Sequence, residues 1–269
     1  MKIAILYFSG TGVTEEYANI IADELEQKGE VISLHNITSF KARETNIDFI
    51  ECDALIFGFP VYGGRLPPVT EAWLSLLEGN QRCSMYFTYG GRDLEWAHQI
   101  GYHLLSKAKF TVVLSAELLG KHSFNVAKGW NLAFDRPSSH DIVTAKNFAF
   151  ESLKRFQGSE IKWDYDLEGF HYHPWETKEY YGPFSIFFPF KTQDCRMCYQ
   201  CEKECPTQAF NLSLGKATNG VCIQCMRCVT ICPDHVIEVG DATELFQQFK
   251  ETLDLSPENV KNKKSRIIY

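Results

Sequence analysis

The sequence lacks the features of a membrane protein and of a nucleic-acid-binding protein. No apolar run approaches the ~18 residues that a membrane-spanning helix needs. The 27 lysine and arginine residues are outnumbered by 34 aspartate and glutamate residues, and the net charge of −7 argues against a nucleic-acid partner. The opening MKIAILYFSG has one lysine and a short apolar run but no small-residue cleavage site. We therefore expect a cytoplasmic protein without a secretion signal.

Cysteine is concentrated in one region, where eight of the ten cysteines form two copies of the spacing C-x2-C-x2-C-x3-C-P. The copies align at an offset of 27 residues, which indicates an internal repeat. Such a pair is typical of a small domain that holds two [4Fe-4S] clusters, in which three cysteines of one copy share a cluster with the fourth cysteine of the other. The predicted first set is Cys195, Cys198, Cys201 and Cys232, and the predicted second set is Cys222, Cys225, Cys228 and Cys205.

Two other uses of cysteine fit this spacing less well. Disulfide frameworks are found mostly in small secreted domains. Structural zinc takes two separated ligand pairs, whereas each copy here places four cysteines within eleven residues and ends in proline. Cys52 and Cys83 lie in apolar runs outside the motifs, and we expect them to be small buried side chains.

The first 157 residues alternate between two hydrophobic patterns. Continuous apolar runs predict buried strands, and apolar residues at helical spacing predict helices between them. This alternation indicates an α/β fold with a doubly wound, five-stranded parallel sheet. The predicted strands are 2–7, 31–37, 54–59, 84–89 and 110–114, and the predicted helices are 14–28, 67–77, 94–107 and 143–156.

Three glycine-containing loops follow predicted strands, at the edge of the sheet where ligands of such folds bind. The first loop, 9–14, combines glycines and hydroxyls before a helix, which suits a phosphate. It has neither the lysine of a P-loop nor G-x-G-x-x-G, and a simple helix cap is the alternative. The loops 60–65 and 89–92 each set a tyrosine beside glycines, which suits a flat ring, although each alone could be a plain turn.

With these loops in place, residues 1–157 resemble a flavodoxin, and the resemblance implies FMN as a cofactor. In that family a glycine peptide of the second loop reorients to bond the flavin, a role that would fall to Gly63 or Gly64. The loop lacks the stacking tryptophan of some flavodoxins, and residues 119–140 have no flavodoxin counterpart. The implied phosphate contacts are Ser9, Gly10, Thr11, Gly12, Val13 and Thr14, and the implied ring contacts are Pro60, Val61, Tyr62, Gly63, Gly64, Tyr89, Gly90, Gly91 and Arg92.

Residues 191–240 resemble the bacterial two-cluster ferredoxins, which implies a small α+β domain. The whole order is similar to the EFR1-type flavodoxin–ferredoxin fusion proteins. Residues 158–190 form an aromatic-rich strap, which we expect to be buried as a link between the domains; a dock for a partner or a wall beside a cofactor are alternatives. For residues 241–269 we expect a helix ending near Leu253, followed by a basic, solvent-exposed terminus.

FMN and two clusters in one chain predict an electron-transfer protein that serves unidentified redox partner proteins. One alternative is a flavin-dependent reductase of a small molecule, with substrate contacts from His122, Arg136 and His140; no catalytic residue is predicted. The other alternative is an iron–sulfur binding or sensing module without flavin.

Overall fold

The computed structural model describes residues 1–45, 47, 49, 51–158, 165, 167–175, 184–218 and 220–269. Its main sheet contains five parallel strands in the order 2-1-3-4-5, which confirms the predicted α/β class. The order reverses beside the first strand, so a crevice opens at the carboxyl ends of the first and third strands. The strands are β1 (Lys2–Tyr7), β2 (Val31–Asn36), β3 (Ala54–Pro60), β4 (Arg82–Tyr89) and β5 (Thr111–Leu119).

Helices cover both faces of this sheet, which explains why the inner strands are apolar almost throughout. The strand β2 lies at the edge, and most of its residues are at least partly exposed. On one face pack α1 (Val13–Glu26) and α5 (Ser139–Phe156), and on the other pack α3 (Pro68–Leu74) and α4 (Ala97–Lys107). A short helix that the sequence did not predict, α2 (Phe40–Glu44), follows β2.

The sheet also has a sixth strand, because β10 (Arg266–Ile268) pairs antiparallel with β5. This finding corrects the expected solvent-exposed terminus. The preceding Ser265 is only 3% exposed, and its hydroxyl donates a hydrogen bond of 2.6 Å to Oδ1 of Asp141. The segment after the cluster motifs is thus anchored in the N-terminal sheet.

An ion pair strengthens this anchor. The Arg266 guanidinium donates two hydrogen bonds to the Glu117 carboxylate, at 2.7 and 3.0 Å. Burial opposes the charge on this carboxylate, but hydrogen bonds and charge from His98 and Arg266 bring the pKa of Glu117 down to about 2. The carboxylate therefore stays ionised beneath the added strand.

The C-terminal domain contains a four-stranded antiparallel sheet and the eight motif cysteines. Its internal repeat is visible in the backbone, since helix, strand and left-handed residues all recur at the offset of 27. The strands are β6 (Phe190–Lys191), β7 (Phe210–Asn211), β8 (Lys216–Ala217) and β9 (Ile237–Glu238), and the helices are α6 (Gln200–Lys203) and α7 (Arg227–Thr230). Two further helices, α8 (Thr243–Thr252) and α9 (Pro257–Asn262), lead to β10.

An apolar cluster joins the two domains. The segment 119–140, which has no flavodoxin counterpart, buries Trp130 and Leu132 against Phe187 of the aromatic strap and Phe246 of α8. Earlier in the strap, Tyr172 packs on the core of the N-terminal domain. The strap residues Trp163, Tyr180 and Tyr181 lie outside the described residues. Among the helices that are described, none is long and apolar enough to cross a membrane.

Candidate cofactor sites

The eight motif cysteines surround two separate small cavities of the C-terminal domain. The side chains in each cavity come from both copies of the motif, in the crossed arrangement of the predicted sets. Within the described residues, no group of three or more His, Cys, Asp or Glu side chains meets the geometry of a site for one metal ion. The first cavity is lined by Cys195, Cys198, Cys201 and Cys232, and the second by Cys205, Cys222, Cys225 and Cys228.

The backbone around the cysteines is held in a conformation that non-glycine residues rarely adopt. Three pairs of residues with positive φ recur at the offset of 27, namely Met197 and Gln224, Tyr199 and Met226, and Gln208 and His235. Turns of this kind direct amide groups towards sulfur. The amide of Gln224 donates to Sγ of Cys222 at 3.4 Å, and the amide of Ala209 donates to Sγ of Cys205 at 3.2 Å. Soft thiol ligands with amide donors around them fit iron–sulfur clusters.

The two cavities differ in their surroundings. All four cysteines of the second set are buried, whereas Cys195 and Cys198 of the first set are partly exposed. Beside the first set, the side chains of Met197 and Tyr199 are 42% and 40% exposed. The first set therefore lies near the protein surface, and the second set lies in the interior.

The three predicted flavin loops meet at a third cavity, here called the loop cavity. Beyond the predicted residues, the structure adds Thr88, Lys121, His122 and Ser123 to its lining. Ten of the fifteen predicted flavin-site residues line it, namely Ser9, Gly10, Thr11, Val13, Thr14, Pro60, Val61, Tyr62, Tyr89 and Gly90.

The loop cavity has a phosphate-binding character at its first loop. The amide groups of residues 10–14 donate no hydrogen bond to any residue that the structure describes. They stand at the N-terminus of the 14-residue helix α1, where Gly12 adopts a φ of +95°. Unpaired amides and a helix dipole both favour an anion, and Lys121 adds a positive charge to the lining. The residues present therefore fit the phosphate of FMN.

A larger cavity of about 430 Å³, here called the aromatic cavity, adjoins the loop cavity and shares Val61, Tyr62, His122 and Ser123 with it. Two more predicted residues, Gly63 and Arg92, line the aromatic cavity. Its size and apolar side chains fit the ring system of a flavin. The added aromatic side chains are Phe124, Trp130, Trp175, Phe184 and Phe249.

The remaining predicted loop residues have other places. Gly12, Gly64 and Gly91 line neither cavity. The carbonyl of Gly64 accepts a hydrogen bond of 2.9 Å from the amide of Trp96, and a methyl group on Gly64 would collide with Glu95. Tyr89 is only 9% exposed and belongs to the apolar core, so its ring is packed mainly against protein.

Of the three predicted substrate contacts, only His122 lines a cavity. Its Nδ1 accepts a hydrogen bond of 3.1 Å from the amide of Phe124, so Nε2 carries the proton of the neutral ring. Burial, helped by the charge of Arg92, lowers the pKa of His122 to about 4. Arg136 instead binds the Asp141 carboxylate at 2.8 Å, and His140 is exposed.

Trp130 is a cavity residue that the sequence did not reveal. It is buried and lines the aromatic cavity, and its Nε1 has no hydrogen-bond partner among the described residues. Its ring centroid lies 5.3 Å from that of His122. Nothing in the local sequence distinguishes this tryptophan from a core residue, because its neighbours are set by contacts between distant segments.

The flavin loops and the second set of cysteines are in direct contact. A methyl group added to Gly10 would collide with the backbone carbonyl of Cys225 and lie 2.9 Å from the hydroxyl of Tyr62. Ile223, between two cysteines of the second set, lines both the aromatic cavity and the second cysteine cavity. Nearby, the Arg43 guanidinium donates a hydrogen bond to the carbonyl of Pro206.

Comparisons with known proteins identify the two parts of the chain separately. Residues 4–82 match the family model described as a flavodoxin domain, and residues 190–238 match the one described as a 4Fe-4S dicluster domain. No curated protein matches the chain.

Among solved structures, the chain is similar to a flavodoxin from the domain Archaea, with 14% identity over 58% of this chain and 99% of that chain and a TM-score of 0.43. The flavodoxin of Streptococcus pneumonia TIGR4 shows 21% identity over 58% of this chain and 99% of that one, also with a TM-score of 0.43. Flavodoxin 2 from Bacillus cereus shows 18% identity over the same shares, 58% and 99%, with a TM-score of 0.44.

Proposed function

Because the chain is a fusion of a flavodoxin domain and a 4Fe-4S dicluster domain, with FMN and iron–sulfur clusters as cofactors, we propose an electron-transfer protein with one internal route. In this route, electrons pass between a partner protein and the first set of cysteines, then the second set, then the flavin site. FMN, when bound, exchanges one or two electrons, and each cluster exchanges one.

The observation that carries this order is the position of Ile223. This side chain stands between the aromatic cavity and the second cysteine cavity and contributes to the lining of both. The contact of Gly10 with Cys225 brings the phosphate loop to the same set. Fixing two redox sites in one chain makes their exchange intramolecular, at a high effective concentration.

The first set supplies the outer end of the proposed route. Cys195 and Cys198 are partly exposed, and the exposed Met197 and Tyr199 lie beside them. A partner protein could approach this surface without moving either domain. The second set has no such access, since its four cysteines are all buried.

The protein's own contribution is to hold the cofactors and set their environment. The free amides of residues 10–14 would bind the flavin phosphate. Amide donors to Cys205 and Cys222 would stabilise negative charge on sulfur and so raise the reduction potential of the second cluster. Burial of the same cysteines acts in the opposite direction, because it disfavours the more negative, reduced state.

Anaerobic purification followed by quantitation of iron, sulfide and FMN tests the cofactor content of the proposal. We expect two [4Fe-4S] clusters and one FMN per chain. Stopped-flow reduction, read by cluster and flavin absorbance, tests the order: both clusters should be reduced before the flavin when the electron donor is a protein. A flavin-free protein, or flavin reduction ahead of the clusters, would contradict the proposal.

A further inference from the structure

Part of the aromatic cavity is built by segments outside any flavodoxin pattern. Trp175 and Phe184 come from the strap, Phe249 comes from α8, and Leu255 follows it. The Trp175 indole donates a hydrogen bond of 3.1 Å to the carbonyl of Leu66, which ties the strap to the N-terminal domain. Together with the loop residues, these side chains form a cavity of the size that suits a small molecule.

Two neutral hydrogen-bond donors belong to side chains that line this cavity. The Nε1–H of Trp130 is buried without a partner among the described residues. The Nδ1 of His122 is occupied by the amide of Phe124, which leaves its Nε2–H as the donor. The two rings are 5.3 Å apart, centroid to centroid. A buried unpaired donor is costly, so this pair points to an acceptor on a ligand.

The rest of the cavity restricts the shape and polarity of that ligand. Phe124, Phe184 and Phe249 offer apolar ring surfaces, which favour a flat, conjugated molecule. Arg92 also lines the cavity, but its guanidinium is paired with Glu95. The unpaired donors are therefore neutral, and they suit a carbonyl oxygen better than a fully charged group.

We propose that the aromatic cavity binds, beside the flavin ring, a flat conjugated carbonyl compound whose oxygen accepts hydrogen bonds from Trp130 and His122. This inference rests on the proposed function, which supplies electrons to the flavin site. Donors placed where negative charge develops on an oxygen favour its reduction. The site would make the protein a reductase of such a compound.

The balance of the reaction follows from the proposed route. A quinone-type substrate gains two electrons and two protons, so that its two carbonyl groups become two hydroxyl groups. Two molecules of a one-electron donor protein of the ferredoxin class are each oxidised by one electron, and water supplies the protons. His122 remains neutral at physiological pH and acts as a hydrogen-bond donor.

The test measures binding first, in the FMN-loaded, oxidised protein, by calorimetry. Duroquinone is the probe, because its ring is fully substituted and does not alkylate thiols, and durene is the matched ring without oxygens. We expect duroquinone to bind at least tenfold more tightly than durene. Trp130→Phe should weaken duroquinone binding about tenfold, as expected for one lost hydrogen bond, and reduce the preference for duroquinone over durene by the same factor.

Three further variants separate hydrogen bonding from packing. Trp96→Phe alters a partly exposed tryptophan outside this cavity and should bind duroquinone as the unmodified protein does. His122→Leu should weaken binding about tenfold, whereas His122→Gln, which keeps an N–H donor, should restore most of the loss.

Three results would overturn the inference. Equal binding of duroquinone and durene would show that no carbonyl is recognised. Loss of FMN affinity in Trp130→Phe would show that the donors serve the flavin ring itself. Absence of duroquinone binding, with normal donor-driven reduction of clusters and flavin, would refute the substrate site and leave the electron route intact; failure of that reduction would refute the route instead.

Discussion

The two sets of cysteines are nearly identical as sequence and as backbone, and yet they have different surroundings. Helix, strand and left-handed residues recur at the same offset around both. The first set borders solvent, whereas the second set packs against the flavin loops. The repeat therefore determines the backbone around each set of cysteines. Packing against the N-terminal domain distinguishes one set from the other.

The largest effect should come from removing equivalent cysteines of the two sets. Cys225→Ala should abolish electron exchange between the second cluster and the flavin, because it removes a predicted ligand of that cluster at the point where the second set contacts the phosphate loop. Cys198→Ala, its counterpart at the offset of 27, should impair reduction by a partner protein but leave exchange between the second cluster and the flavin. Flash photoreduction, followed by absorbance and electron paramagnetic resonance, separates reduction of the first cluster from exchange between the second cluster and the flavin. If the two variants behave alike, the two sets do not have the proposed different roles.

A second test uses two glycines of the same loop. In Gly10→Ala the new methyl group would collide with the Cys225 carbonyl, and overpacking of this kind costs about 2–3 kcal/mol. In Gly12→Ala the methyl group meets no atom within 4 Å, so only the strain of its positive φ remains, about 1 kcal/mol. Anaerobic urea unfolding measures both. A larger loss in Gly12→Ala would argue against the contact between the domains.

A third test loosens the anchor that holds the second set in place. Glu117→Gln removes the charge that pairs with Arg266 beneath β10, at a cost on the order of 2 kcal/mol. The folded-state pKa of Glu117 is about 2, below its ordinary value. Its contribution is therefore present above pH ~4.5 and is lost as the pH falls towards 2, so at neutral pH only a substitution reveals it.

The readout for this anchor is iron release to a chelator. In the unmodified protein we expect two phases, with the exposed first cluster losing iron faster than the buried second one. Glu117→Gln should make the rates of the two phases more similar. Lys109→Gln, which alters an exposed ion pair, should leave both rates unchanged. If the rates of the two phases differ by the same factor in both variants, β10 does not protect the second set.

The smallest expected effect concerns the cavity beside the second set. The pKa of His122 is lowered to about 4, while the unfolded chain binds its proton near pH 6.5. The protein should therefore lose stability as the pH falls from 6.5 towards 4, by about 1 kcal/mol between pH ~7 and ~6. His122→Gln should flatten this slope in anaerobic unfolding measurements, and an unchanged slope would place the imidazole in water.

Patterns within short segments predicted much of this molecule. Continuous apolar runs identified the five parallel strands, and the repeat placed the cysteines of each set around one cavity, although the assignment of individual cysteines as cluster ligands remains a prediction. The flavodoxin and dicluster domains and their cofactors are confirmed, whereas the exact domain boundaries remain predictions. These successes share a cause, because each depends on residues close together in the chain.

What the sequence did not reveal depends on contacts between distant segments. The strand β10 has three residues, too few to show a period of two, and its partner β5 lies about 150 residues earlier. Several neighbours of Trp130, among them Phe187 and Phe246, come from the strap and from α8. Tyr89 lines the loop cavity, and its place beside the flavin remains a prediction; that it also belongs to the apolar core could not be read from its neighbours in the chain.

The pairing of β10 with β5 also has a consequence for biosynthesis. The strand β10 follows every cluster cysteine in the chain, so the ribosome releases it after both motifs. Until then the edge of β5 has no partner and the N-terminal sheet lacks its sixth strand. The cysteines of the second set are thus translated before the sheet whose loops they contact is complete.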